Sequence, residues 1–267
     1  MRGQGTSAIE LCTVPGGQGF TLVEVMVVIV IVTVLMSGLA LPLAAQVQMR
    51  RQEETRRTLD EAKEALLGFA AAHGRLPCPA DERSNGQESF AAGGDALSGE
   101  CARFYDGFLP GAALGLAPLD AEGFVRDAWN TPRNRIRYAV FGAGAAVGGV
   151  ANPLTRANGL QSATLPALAS ASHFILICSS GANASASSCG PATSQLTRRA
   201  AFVLLSLGPN ANATPPPGSD EARNLSGDPV FVYHEASMAG NAEFDDVIQW
   251  VPVHLVVNRL LMAGRLP

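Results

Sequence analysis

Hydrophobic and polar positions fall into three patterns along the chain. From Phe20 to Ala45, 26 residues read FTLVEVMVVIVIVTVLMSGLALPLAA with one charge, Glu24. A helix of that length rises roughly 39 Å, more than the roughly 30 Å hydrocarbon core of a bilayer, and in lipid it satisfies its own backbone groups. The run predicts a transmembrane helix. Gly38 and Pro42 fall late in it, and a proline removes one helical hydrogen bond, so a kink is expected there. From Gln46 to His73 the chain turns amphipathic: Leu59, Ala62, Leu66, Phe69 and His73 recur at helical spacing. Glu53/Arg57 and Arg56/Asp60 are opposite charges one turn apart. Gly74 and Pro77 stop the pattern. One long helix over about 20–72 is expected, its first half apolar all round and its second half burying one stripe. His73, at its end, reads as a packed or dipole-compensating residue rather than a ligand.

Beyond Pro79 the period shortens. Arg135 to Phe141 alternates polar and apolar residues, as a half-buried strand does. Phe174–Ile177, Phe202–Leu207, Val230–Tyr233 and Val251–Val257 are further strand candidates, with His254 inside the last. Gly208-Pro209-Asn210 is a turn signal, and Pro215 to Pro217 a loop. No internal repeat is evident. The 267 residues read as one long helix (20–45 apolar, 46–73 amphipathic) followed by one elaborated sheet-and-loop domain over 74–267.

Composition sharpens this outline. At 47% hydrophobic and 16% charged residues, the chain is not disordered, collagen-like or a coiled coil. Its mean hydropathy of +0.17 reflects the one apolar run. The net charge of −4 gives no reason to expect a nucleic-acid partner. An ordinary secretory signal would place small residues after a shorter apolar stretch. Here Gly16, Gly17 and Gly19 come before it.

Gly19-Phe20-Thr21-Leu22-Val23-Glu24, followed by the apolar run, resembles the signal of type IV prepilins and type II secretion pseudopilins. The resemblance implies a prepilin peptidase that removes residues 1–19 on the cytoplasmic side, cutting between Gly19 and Phe20, and methylates the new Phe20 amine. It implies a role for Glu24 in assembly, its carboxylate pairing with the Phe20 amine of a neighbouring subunit. A carboxylate within hydrocarbon costs roughly 2.5–3.5 kcal/mol and is a functional candidate for that reason. Three weaker elements follow in the family's order. Asp127-Ala128-Trp129-Asn130-x-Pro132 is similar to one, Ser206-Leu207-Gly208-Pro209-Asn210 to the next, and Phe244 to Trp250 to the last. The implied fold is α+β and pilin-like, a long N-terminal helix packed on an antiparallel sheet. Inserts at about 80–125 and 142–170 and an extended end at 255–267 suggest a large minor subunit. The implied partners are prepilin peptidase, other pilin or pseudopilin subunits and an inner-membrane assembly platform. The implied location is the bacterial inner membrane, single-pass, with a cytoplasmic N-terminus and a periplasmic domain. Arg50, Arg51, Arg56 and Arg57 after the apolar run argue for the opposite orientation by the positive-inside rule. The leader motif and the cysteines outweigh that rule.

Cys12 lies in the leader, which leaves Cys78, Cys101, Cys178 and Cys189, an even set suited to disulfides in an oxidising compartment. Of three connectivities, the two local bridges close short polar loops. Pseudopilins can bind calcium before the last element, and Asp220, Glu221, Asp228, Glu243, Asp245 and Asp246 could supply oxygens. They read mainly as solvated loop acids, with Asp245 and Asp246 the first choice for a calcium site. No other cofactor is implied. His173, His234 and His254 are scattered, and no nucleophile elbow, zinc motif or phosphate loop occurs. The expectation is a structural subunit rather than an enzyme. The alternative is a membrane-anchored periplasmic ligand-binding, adhesin or DNA-uptake protein, which exposed aromatic or arginine clusters on the 80–125 insert would favour.

Overall fold

The apolar and amphipathic stretches form one element, α1, over Leu22–His73. The structure is a computed structural model that describes residues 19–131, 133–171, 173–239 and 242–266, without the side chains of 36–44, 238, 239 and 242. The helix is continuous past Gly38 and Pro42, whose side chains lie outside the described residues. The chain divides into two compact units, Met1–Gln48 and Met49–Pro267. In the first, every described side chain is exposed. Among the described residues no helix is long and apolar enough to cross a membrane, and the expected span includes the undescribed side chains.

In the second unit, the amphipathic part of α1 buries Thr55, Leu59, Ala62, Leu66 and Ala70, spaced by three and four residues. The stripe thus turns away from the expected Phe69 and His73. Phe69 is half-buried, and His73 is exposed and stacks on it at 4.0 Å. Glu53 and Arg57 pair as expected. Asp60 holds Lys63 rather than Arg56, and accepts a hydrogen bond from Gln249. Gly74 ends the helix with φ +69°, its N–H donating to the Ala70 carbonyl. An added Cβ there would meet Asn158 Oδ1 at 2.9 Å, so glycine serves both the left-handed turn and the close approach.

The sheet contains β1 (Gly107–Phe108), β2 (Arg137–Val140), β5 (Ile175–Cys178), β6 (Gln195–Ser206), β7 (Val230–Val232) and β10 (Val247–Pro252). Two small hairpins pair β3 (Ala146–Val147) with β4 (Val150–Ala151) and β8 (Ser237–Ala239) with β9 (Ala242–Phe244). Strand β6 is the spine. Its first half pairs with β5 and its second half with β2 and β10, all antiparallel. The sheet is nevertheless mixed, because β5 and β7 are parallel. Parallel neighbours need a long crossover, which β6 and the short helix α4 (Asp220–Asn224) supply here. Two further short helices, α2 (Gly159–Ser162) and α3 (Leu165–Ser170), lie before β5.

The last expected strand is the main local difference. The sheet ends at Pro252, and Val253–Met262 forms a helix, α5. Pro252 stands at its N-cap, and Val253, Val256 and Leu260 are buried at helical spacing, so His254 sits in a helix. Beyond it Arg265 donates to the Ala71 and Ala72 carbonyls, which the end of α1 leaves open. The Cys78–Cys101 and Cys178–Cys189 bridges, the two local ones, are both formed. Next to the first, Arg75 and Glu88 form a bidentate pair at 2.6–2.7 Å.

Leu66 is fully buried in this stripe. Leu66→Ala is expected to destabilise the domain by about 2–5 kcal/mol, read as a lower urea midpoint, because buried apolar atoms are lost and a cavity is left behind. Leu22→Ala, at an exposed position, should leave the domain's midpoint unchanged.

Candidate functional site

The described residues begin at Gly19 and Phe20, and Phe20 is exposed. Thr21 precedes the first helical residue. Its N–H and Oγ1 both donate to Glu24 Oε2 at 3.1 Å, and the Glu24 N–H donates to Thr21 Oγ1 at 3.3 Å. This reciprocal pair is a capping box, which satisfies amides the first turn leaves without partners. The Thr21-x-x-Glu24 spacing in the sequence is the signature of this cap. Glu24 thereby lies in the first turn, four residues after Phe20, whose amine cleavage would expose.

The second candidate region is where the three motif elements meet. The buried Asp127 carboxylate accepts from Ser206 Oγ at 2.5 Å, Asn134 Nδ2 at 2.8 Å and the Trp129 N–H at 3.0 Å. Burial raises its pKa above the ordinary value, and these donors pull it down. Asn134 also donates to the Gly208 carbonyl at 2.6 Å, tying the first element to the second. Thr55 of α1 accepts the Ala128 N–H at 3.2 Å. The helix is thus joined to the first element by a hydrogen bond as well as by packing.

The second element meets the third at Gly208, where φ is +64° and an added Cβ would lie 2.5 Å from Asp245. Only glycine meets both demands. Glu221, in α4, accepts from Asn210 Nδ2 with both oxygens at 3.1 Å, and from the Asp245 N–H at 3.0 Å. One turn further on, Asn224 donates to Asp246 Oδ2 at 2.7 Å and accepts the Val232 N–H at 2.7 Å. A five-residue helix therefore clamps the turn after β6, the end of β7 and the start of β10.

Three of the six acids are not loop acids fully open to solvent. Glu221 and Asp246 are buried and Asp245 is half-buried, with carboxylate oxygens within 4.8 Å of one another. The rest are dispersed. Asp220 pairs with His234, Asp228 with Arg223, and Glu243 is exposed. Burial pushes the Asp245 carboxyl up to about 7, and the neighbouring Glu221 charge adds to this. Asp246 is pushed well above its ordinary value, mainly by burial. Three carboxylates this close cannot all stay ionised without a counter-charge. The oxygen-only set suits a hard cation such as calcium, and Asp245 Oδ1 is buried with no hydrogen-bond partner. Glu221, Asp245 and Asp246 are the residues that would hold the ion. In its absence a proton supplies the neutralisation. Asn210 was named in the sequence as part of a turn, while Asn134 and Asn224 were missed, since an amide side chain carries no charge or periodicity signal.

The long N-terminal helix and its capped, glycine-preceded start define a precursor with a prepilin-type signal. A family model described as the prokaryotic N-terminal methylation motif matches residues 17–40. The match covers the start of the chain alone, and it shows a type IV pilin-like signal. Processing by prepilin peptidase, assembly with other pilins and a membrane-anchored N-terminus go with that signal. Searches of the curated proteins and of the solved structures return no match.

The carboxylate cluster gives a pH test. The folded chain keeps a proton on Asp245 where the unfolded chain has released it, so this stability is present below about pH 4 and lost as pH rises towards 7. In a chelator at pH 8, Asp245→Asn should be the more stable protein, on the order of 1 kcal/mol after allowing for partial exposure, with the difference closing towards pH 4. If calcium fills the site, adding it at pH 8 will raise the melting temperature of the wild type and not of the variant.

Proposed function

We propose that this chain is a structural subunit, a minor pilin or pseudopilin, of a type IV pilus or a type II secretion pseudopilus. Cleaved after Gly19 and anchored in the inner membrane by 20–45, it presents the 46–267 domain to the periplasm. The assembly platform of the inner membrane then draws it into a filament through its apolar helix. The observation that carries this reading is the N-terminal constellation: glycine before the cut, phenylalanine after it, and a glutamate in the first turn of an exposed apolar helix. Two disulfides suit an oxidising compartment. The inserts make the domain larger than a repeating subunit needs, which suits a minor position in the filament.

No catalytic role enters this reading. Ser179 and Ser180 lie in the disulfide loop, and His234 is held by Asp220 and the Glu235 carbonyl. Three residues of the insert do not favour the ligand-binding alternative. Phe104 and Tyr105 pack against the core, and Arg103 is paired with Asp106.

Glu24 provides the test. Glu24→Ala should be cleaved after Gly19 like the wild type but enter filaments at least tenfold less, measured by shearing filaments from cells and comparing sheared with membrane-bound protein. Normal incorporation of the variant would remove the assembly role.

A further inference from the structure

Two of the arginines that follow the apolar run, Arg50 and Arg51, take part in none of the contacts described so far. Arg50 and Arg51 come five and six residues after Ala45, where the apolar run ends. Both are exposed, in a continuous helix. Among the described residues the ion pairs of this helix are Glu53–Arg57, Asp60–Lys63 and Glu64–Arg259, and neither Arg50 nor Arg51 takes part. At 1.5 Å per residue, five residues carry the helix roughly 7.5 Å beyond its apolar part, about the depth of one headgroup layer.

We propose that Arg50 and Arg51 bind the phosphates of anionic phospholipids at the outer face of the membrane, and so hold the subunit at a fixed depth until it is drawn into a filament. The proposal rests on the membrane-anchored reading above. A guanidinium presents a planar fork of donors that matches two phosphate oxygens, and its stem lies along apolar surface while the head reaches the interface. Glu53 is already engaged by Arg57. Between residues 50 and 57 Glu54 is the remaining acid, so Arg50, Arg51 and Arg56 face one carboxylate and the local balance favours an anionic ligand. Charge on this side opposes the positive-inside rule, and anionic headgroups on the same side offset that preference. A membrane surface rather than an acidic protein is the partner because the arginines follow the apolar run within two helical turns.

The test uses the full chain reconstituted in phosphatidylcholine vesicles containing spin-labelled phosphatidylglycerol or spin-labelled phosphatidylcholine. The readout is the ratio of their association constants at the protein boundary. An arginine near an anionic surface is worth about fivefold, so the wild type should prefer phosphatidylglycerol at least fivefold at low salt, falling towards one at 0.5 M salt. Arg50→Gln/Arg51→Gln should give a ratio near one, and Arg50→Lys/Arg51→Lys should restore most of the preference. A wild-type ratio near one, or an unchanged ratio in the glutamine variant, overturns the proposal. If neither labelled lipid is immobilised by the wild type, the membrane-anchored reading itself fails and the proposal falls with it.

Discussion

A helix whose described side chains in its first half are all exposed sets the terms for everything else in this molecule. From Leu22 to Leu35 every side chain is exposed, and nearly all are Val, Ile, Leu or Met. Burying one such side chain is worth about 1.5–3 kcal/mol, so a run of them does not stay in water. Something outside the chain has to cover it, either lipid or copies of the same kind of helix. The one charge in the run, Glu24, lies in the first turn, where the helix dipole and a capping threonine accommodate a carboxylate. There it is closest to the amine that cleavage after Gly19 would create.

The same helix has a different task further on. Its stripe from Thr55 to Ala70 supplies one wall of the domain core, and polar residues fix the rest around it. Asp127 joins the loop before β2 to the turn after β6, while Glu221 and Asn224 join that turn to β7 and β10. These bonds place three separate sequence elements at one junction. They also bring three carboxylates together, so the junction's strength depends on a proton or a cation. The disulfides act elsewhere, closing loops too polar to hold themselves by burial.

Much of this was legible in the sequence, and the exceptions have physical causes. The long helix, its glycine stop and the apolar strands at 175–178, 202–206 and 230–232 all showed as hydrophobic period. The first half of β6 did not, because Thr197, Arg198 and Arg199 interrupt its alternation. Val253 to Val257 looked like a strand because valine favours sheets. The spacing of Val253, Val256 and Leu260 behind Pro252 decided for a helix. The parallel pairing of β5 with β7 leaves no local trace, since it is a relation between segments some 50 residues apart. Asp245 and Asp246 were visible as acids. Their burial was not, because it depends on Asn224 and on Glu221, more than twenty residues away.

Membrane anchoring and filament assembly both depend on where the mature chain starts. The most direct measurement is the intact mass and N-terminal peptide of the protein recovered from its own membranes. The account predicts loss of residues 1–19 and a mature N-terminus at Phe20 carrying one methyl group. An uncut Met1, or a cut on the far side of the apolar run, would contradict it.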